Sequence, residues 1–223
     1  MNKTCLIHQP DFFPWLGFFD KIQQCDKFVL LDDAQITKTG SSYLNRVSFN
    51  IAGVSKEFTA PIVRTSGTQN YNETQYINNK WKSKLKKTIQ ANYAKAKNFN
   101  QYKNDIFELI EFDSYNLVEY NLNAIKKICK ILNIDLSSKL VLSSDLNINT
   151  TSTQRLIDIC QKTNTNTYLS GHGAKDYQVE YLFKENDINL IYHDFNHPIY
   201  TQKSETFIYG LSAIDYIFEG LDK

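Results

Sequence analysis

Apolar and polar positions follow three periods along this chain, and each period predicts a different kind of element. Residues 3–8 form a short apolar run that stops at Gln9 and Pro10, which reads as a buried strand. Residues 12–24 carry apolar side chains at helical spacing, with Pro14 in a first turn, where its missing N–H costs nothing. Residues 27–31 are a second buried strand, followed at once by Asp32 and Asp33. Strand, loop, helix and strand in that order predict a βαβ unit, hence a parallel sheet with a right-handed crossover.

The period then changes to two. Residues 43–49 and 56–63 alternate around Ala52 and Gly53 and predict a hairpin, with a polar loop over 65–72. From Trp81 the period becomes 3.6. Helices are expected over 81–96, 104–112, 114–132 and 152–162, with Ser114 and Ser152 as N-caps. The last third returns to alternation. A strand at 166–170, a turn at Gly171, His172 and Gly173, a helix over 174–186 and a strand over 189–195 follow one another. A final helix over 212–219 is expected to be capped by Ser212, with Asp215 at its third position. The fold class is therefore α/β: a mostly parallel sheet of Rossmann-like or HUP-like topology, a β-hairpin, and a helical insertion at about 80–150. The chain reads as a single domain over 1–223.

Composition narrows the function. The chain has 223 residues, 42% of them hydrophobic and 13% aromatic, which excludes a disordered chain. Its 25 basic and 24 acidic side chains nearly cancel, so an electrostatic clamp on nucleic acid is not expected. No apolar run reaches the roughly 18 residues of a membrane span. The amino terminus lacks the apolar stretch of a secretory signal, so a cytoplasmic location is expected. Cys5, Cys25, Cys129 and Cys160 form no CxxC pair and lie in apolar segments, so they read as buried thiols.

Ligands of open α/β sheets bind beyond the carboxyl ends of the strands. Three predicted strand ends carry polar groups: His8, Gln9 and Asp11; Asp32 and Asp33; and the stretch from Ser170 through Gly171, Gly173, Lys175, Asp176 and Tyr177. His8 can serve as a general base or contact a phosphate. Asp32 and Asp33 can bind a metal, orient a sugar hydroxyl or cap a turn. The glycines can bring backbone N–H groups to an anion, although no Walker or GxGxxG fingerprint is present. Asn45 and Arg46 lie in the hairpin, and Arg46 is suited to a planar or phosphate partner. His197, Tyr200 and Gln202 form a polar loop late in the chain. Lys80, Lys82, Lys84, Lys86 and Lys87 make either a solvated helix face or an anion-attracting one. A metal stays open and no motif argues for one: HExxH and CxxC spacings are absent, as is a GxSxG elbow.

Together these segments resemble a known family. Residues 8–19, from His8 through Phe12, Phe13, Pro14, Trp15 and Gly17 to Phe19, resemble the opening signature of the WbqC-like proteins. Further matches follow at 28–35, 45–47, 170–171 with 174–177, 197–202 and 211–215, so the resemblance covers essentially the whole chain. It implies a step in bacterial surface-polysaccharide (O-antigen) synthesis, in which an acyl or aminoacyl group passes to a nucleotide-linked amino sugar. On that reading His8 or Asp33 deprotonates the amine. Arg46, Lys175 and the backbone of Gly171 and Gly173 hold the diphosphate. His197 and Tyr200 line the sugar pocket, and Gln9, Asp11, Trp15, Asp32, Asn45, Asp176, Tyr177 and Gln202 complete the substrate contacts. The sequence names no cofactor and leaves ATP, coenzyme A, a metal and homo-oligomerisation open.

The order of strand, His-bearing loop, helix and late Lys175, Asp176, Tyr177 turn is also similar to the nucleotidyltransferase branch of the HUP domains, without their HxGH-type signature. That similarity implies an ATP-dependent amide ligase as the alternative. A third alternative is a non-catalytic binding module whose partner face is Phe12, Phe13, Trp15, Phe18 and Phe19.

Overall fold

The computed structural model describes residues 2–36 and 43–222. In chain order the elements are β1 (Thr4–His8), α1 (Leu16–Gln24), β2 (Lys27–Leu30), β3 (Arg46–Ile51), β4 (Val54–Thr59), α2 (Lys80–Tyr93), α3 (Phe99–Glu111) and α4 (Leu117–Ile131). They continue with β5 (Leu140–Leu142), α5 (Ser152–Lys162), β6 (Thr167–Ser170), α6 (Glu180–Glu185), β7 (Asn189–Tyr192) and α7 (Ala213–Glu219). Two compact units emerge. One comprises Met1–Gln9, Gly17–Ala34 and Ile134–Asn196; the other comprises Pro10–Leu16, Gln35–Asn133 and His197–Lys223.

The first unit is a parallel five-stranded sheet in the order β5-β2-β1-β6-β7. Counted in chain order this is 3-2-1-4-5, the order of a doubly wound sheet, and the direction of winding reverses between β1 and β6. Phe28, Val29 and Leu30 of β2 are fully buried, as expected of a central parallel strand covered on both faces. Alternation sorts the strands' side chains. Cys5, Ile7, Val29 and Tyr168 join Ile157, Cys160 and Phe183 in one core cluster on the side of α5 and α6. Thr4, Leu6 and His8 therefore take the other face, where the rings of His8 and Phe18 of α1 meet at 4.8 Å.

The second unit holds the hairpin and α2, α3, α4 and α7. Ala52 and Gly53 have φ of 53° and 82°, the two left-handed residues of a two-residue hairpin turn. The Oδ1 of Asn50 accepts from the Gly53 amide at 3.0 Å and steadies that turn. The core is aromatic: Phe12, Tyr76, Trp81 and Tyr120 pack with ring centroids 5.2–6.3 Å apart. Asn121 knits this core, accepting from Tyr76 and donating to the carbonyls of Pro10 and Leu44.

Several expected boundaries move. α1 begins at Leu16 rather than Phe12, because Phe13 precedes a proline and takes φ 45°. Phe12 and Phe13 are buried, as are Phe18 and Phe19, so they do not form a partner face. β4 ends at Thr59, before Pro61, which has no N–H for a ladder. Asn116, not Ser114, caps α4, and Thr151, not Ser152, stands at the cap position of α5. The helix expected over 174–186 is confined to α6. His172–Tyr177 form a 3-10 turn in which His172, Gly173, Lys175 and Asp176 are exposed, leaving a longer helix no apolar face to bury. β5, inside the expected helical stretch, escapes periodicity because it is only three residues long. All four cysteines are free and buried, and among the described residues no helix is long and apolar enough to cross a membrane.

Candidate functional site at the carboxyl edge of the parallel sheet

The carboxyl ends of β1, β2 and β6 lie side by side, so the polar groups that close them share one edge. The register sets their alignment. Leu6 pairs with Leu169, and Ser170 with Tyr192. Continued by one or two residues, it puts His8, Gly171 and His193 in one row across β1, β6 and β7. The amide of His193 donates to the Ser170 carbonyl at 2.8 Å, as that continuation requires. Directly paired residues of parallel strands share a face, so His8 and His193 stand on the α1 side, two strands or roughly 10 Å apart. Gly171, between them, adds no side chain.

Helix α1 supplies the rest of the row. Lys21 is only 4% exposed, and its Nζ lies 3.7 Å from where a Cβ on Gly171 would be. Asp20, its neighbour, accepts from Nε2 of His193 at 2.6 Å. A carboxylate oxygen only accepts here, so His193 carries its proton on Nε2 and its neutral form keeps a lone pair on Nδ1. His8 is arranged the other way round. Its Nδ1 donates to the Gln9 carbonyl at 3.1 Å, which puts the lone pair of the neutral ring on Nε2. Burial, and then the nearby Lys21 charge, push the His8 pKa well below the ordinary imidazole value, against the smaller pull of the Gln9 bond. His8 is therefore a neutral base at physiological pH, close to a buried cation.

The next corner of the edge is closed by hydrogen bonds. Asp32 is 5% exposed and accepts from the Ser144 amide at 3.0 Å, the Ser144 hydroxyl at 2.6 Å and the Ser143 hydroxyl at 3.1 Å. Asp33 pairs with Arg155 at 2.5 Å and also meets Ser143. Burial raises the Asp33 pKa, but the bonds from Ser143 and Arg155 and the guanidinium charge outweigh it, and the net shift is downward. Asp33 is thus an ion-paired anion.

Other expected site residues are distributed more widely. In the first unit, Gly173, Lys175 and Asp176 occupy the exposed 3-10 turn, with the Lys175 ammonium 5.8 Å from the Tyr192 ring; the Tyr177 side chain lies outside the described residues. In the second unit, Asp11 is buried, and its charge adds to the burial that pushes Tyr71 up to about 12. Asn45 donates to the Ala60 carbonyl at 2.8 Å, and Arg46 meets Glu57 across the hairpin at 3.4 Å. Trp15 bridges Ser212 through its backbone. Tyr200 and Gln202 donate to Asp215 at 2.7 and 3.1 Å, and the His197 ring packs beside Tyr200, Phe207 and Tyr209. In the lysine cluster, Lys82 donates to the Phe112 carbonyl and Lys86 pairs with Glu111. Among the described residues no group of three or more His, Cys, Asp or Glu side chains is placed to hold a metal ion.

Periodicity and motif reading did not single out Asp20 and Lys21, nor His193 as part of this edge. One signal was available. Phe18, Lys21 and Cys25 recur at helical spacing and all three are buried, so Lys21 is a charge on an apolar stripe.

Comparison with known proteins agrees with the extent of the sequence motifs. The chain is 28% identical over 221 residues to the uncharacterized protein Rv1507c of Mycobacterium tuberculosis, covering 98% of this chain and 94% of that one. No solved structure matches. A family model described as WbqC-like protein family matches residues 9–221, which takes in all of α1, the Asp32–Asp33 corner and the Gly171–His193 part of the row. With nearly its whole length matched, this chain belongs to the WbqC-like protein family.

Proposed function

We propose that this protein is a cytoplasmic enzyme of bacterial surface-polysaccharide synthesis that transfers an acyl or aminoacyl group to an amino sugar carried on a nucleotide. The observation that carries this reading is His8: a neutral imidazole with its lone pair on Nε2, at the carboxyl edge beside the point where the winding reverses. An amine must lose a proton as it attacks a carbonyl, and a buried neutral imidazole is suited to take it.

The sugar amine forms a C–N bond to the carbonyl carbon of an activated donor, such as a thioester or acyl-nucleotide. His8 Nε2 takes the amine proton. The bond from the acyl carbon to its leaving group then breaks, and that proton leaves with the departing group. Asp33, ion-paired to Arg155, serves as a fixed anion at the neighbouring strand end rather than as the base. Lys175, Asp176 and the glycines of the β6 turn are the substrate contacts of this unit. Family membership supports the polysaccharide context, and the strand order suits a nucleotide-bearing ligand.

The test has two stages. A thermal-shift screen with uridine-, thymidine- and guanosine-diphosphate amino sugars, ATP and coenzyme A identifies the carrier; saturation at about 100 times Kd stabilises by roughly 2.7 kcal/mol. The stabilising sugar nucleotide is then incubated with acyl and aminoacyl donors, and amide product is read by mass. Product that disappears in His8→Ala supports the assignment. Stabilisation by ATP alone, with a carboxylic acid consumed, moves the function to the amide ligase.

A further inference from the structure

Charge is spread unevenly along this near-neutral chain. Residues 74–104 carry eight lysines and no acidic residue. Four of these lysines are engaged. Lys82 donates to the Phe112 carbonyl, Lys86 pairs with Glu111, Lys97 pairs with Asp222, and Lys103 lies over the rings of Phe99 and Phe107. Lys80, Lys84 and Lys87 of α2 make no ion pair among the described residues. Their spacing of four and then three residues puts them on one face of the helix, over about 10 Å of its axis.

That face looks onto the hairpin, where the Lys84 ammonium lies 5.9 Å from the Phe58 ring. Val47 pairs with Phe58, Phe49 with Lys56 and Ile51 with Val54, so these side chains share one face of the hairpin. Lys56, which is exposed, therefore adds a further ammonium on the Phe58 side. Glu57 takes the opposite face, where it pairs with Arg46. An open groove of about 580 Å³ is lined by Ile51 of the hairpin and by Lys80, Ser83, Lys84, Lys87 and Ala91 of α2. Among the described residues no Asp, Glu or Arg lines it.

We infer that this groove binds a soluble ligand carrying a diphosphate or a longer phosphate chain. Like charges at helical spacing repel one another, and a polyanion between them turns that repulsion into attraction. An ammonium is a point charge suited to phosphate oxygens, and the groove offers no guanidinium fork for a planar carboxylate. Three ammoniums meet a single phosphate only by closing on one another, whereas linked phosphates give each its own oxygens. The concave shape favours a compact ligand over a lipid surface. A flat surface would touch the lysine tips and leave Ile51 and Ala91 uncovered. The site lies within the second unit and does not depend on the chemistry proposed for the sheet edge.

Inorganic pyrophosphate is the probe, titrated calorimetrically into the whole protein at constant ionic strength without divalent metal, with orthophosphate in parallel. The expected result is one saturable site per chain that binds pyrophosphate at least tenfold tighter than orthophosphate. Lys84→Gln combined with Lys87→Gln should weaken binding at least tenfold while the melting temperature stays at the wild-type value. Ala91→Leu, which fills the groove and leaves every charge in place, should weaken it too. Lys126→Gln, at an exposed position on α4, should bind as wild type does. Equal affinity for the two anions, or unchanged binding in the double variant or in Ala91→Leu, would overturn the inference. So would capture by phosphatidylglycerol vesicles without pyrophosphate binding, which would make this face a membrane contact. Pyrophosphate binding and amide formation are read separately, so either reading can fail alone.

Discussion

The edge of the parallel sheet and the Asp215 cluster of the other unit both bury charge, and they treat it in opposite ways. Asp215 is fully buried and receives Tyr93 at 2.8 Å, Tyr200 at 2.7 Å and Gln202 at 3.1 Å. Burial raises its pKa and these bonds counter that, leaving the shift upward. Tyr93 Oη in turn accepts from the Asn50 amide at 3.1 Å. This carboxylate ties α7 to α2 and to the 197–211 segment of the same unit, as a structural knot does. The sheet edge instead concentrates an ammonium, two imidazoles and a carboxylate around a position with no side chain. A buried charge surrounded by donors supports the fold.

The comparison breaks first on activity. His8→Ala should lower the rate of amide formation about 10²- to 10⁴-fold, the usual worth of a positioned base, with the melting temperature nearly unchanged. If Asp215→Asn, kept folded, loses as much rate as His8→Ala, the division between site and scaffold is wrong. The next largest effect is on stability. Asp215→Ala takes the acceptor from the buried O–H groups of Tyr93 and Tyr200 and should cost on the order of 3 kcal/mol, read by urea unfolding. A loss below about 1 kcal/mol would show that the knot is not structural.

Asp33→Asn should cost about 1 kcal/mol through the partly buried pair with Arg155. The sign with pH follows from its lowered pKa. The stabilisation is full above the unfolded value of 3.8 and is lost as pH falls through the lower folded value. Denaturant midpoints of wild type and variant should converge there. The smallest effect comes from His8. Its pKa is lowered on folding, so below the unfolded value of 6.5 the unfolded chain binds the extra proton and stability declines as pH drops. Above 6.5 His8 contributes no slope. His8→Gln should flatten the wild-type decline between pH 6.5 and about 5; an unchanged slope would mean that His8 is charged in the fold.

Much of this architecture is legible in the sequence because burial writes a period. The apolar runs at 3–8 and 27–31 mark β1 and β2, and the 3.6 period marks α2 to α5. The parallel sheet and hairpin follow from order alone. What stayed hidden has specific causes. β5 is too short to show a period. The start of α1 is set by Phe13, whose φ of 45° before Pro14 no apolar period reports. At the edge, His8 and Gly171 stand out because they close strands. Lys21 and Asp20 do not, because a lysine in a helix usually faces water; only the apolar neighbours at its spacing reveal that this one is buried. His193 depends on register between β6 and β7, which a single sequence does not carry.

The most direct test of the central claim, that ligand chemistry belongs to the sheet edge and not to the aromatic loop of the other unit, uses the chain's four histidines as NMR reporters. Wild-type protein is saturated with the sugar nucleotide that raises its melting temperature most, and the imidazole signals are assigned by single substitution. The account predicts that His8 and His193 shift while His197 stays in place. A shift confined to His197, with His8 and His193 unmoved, would contradict it.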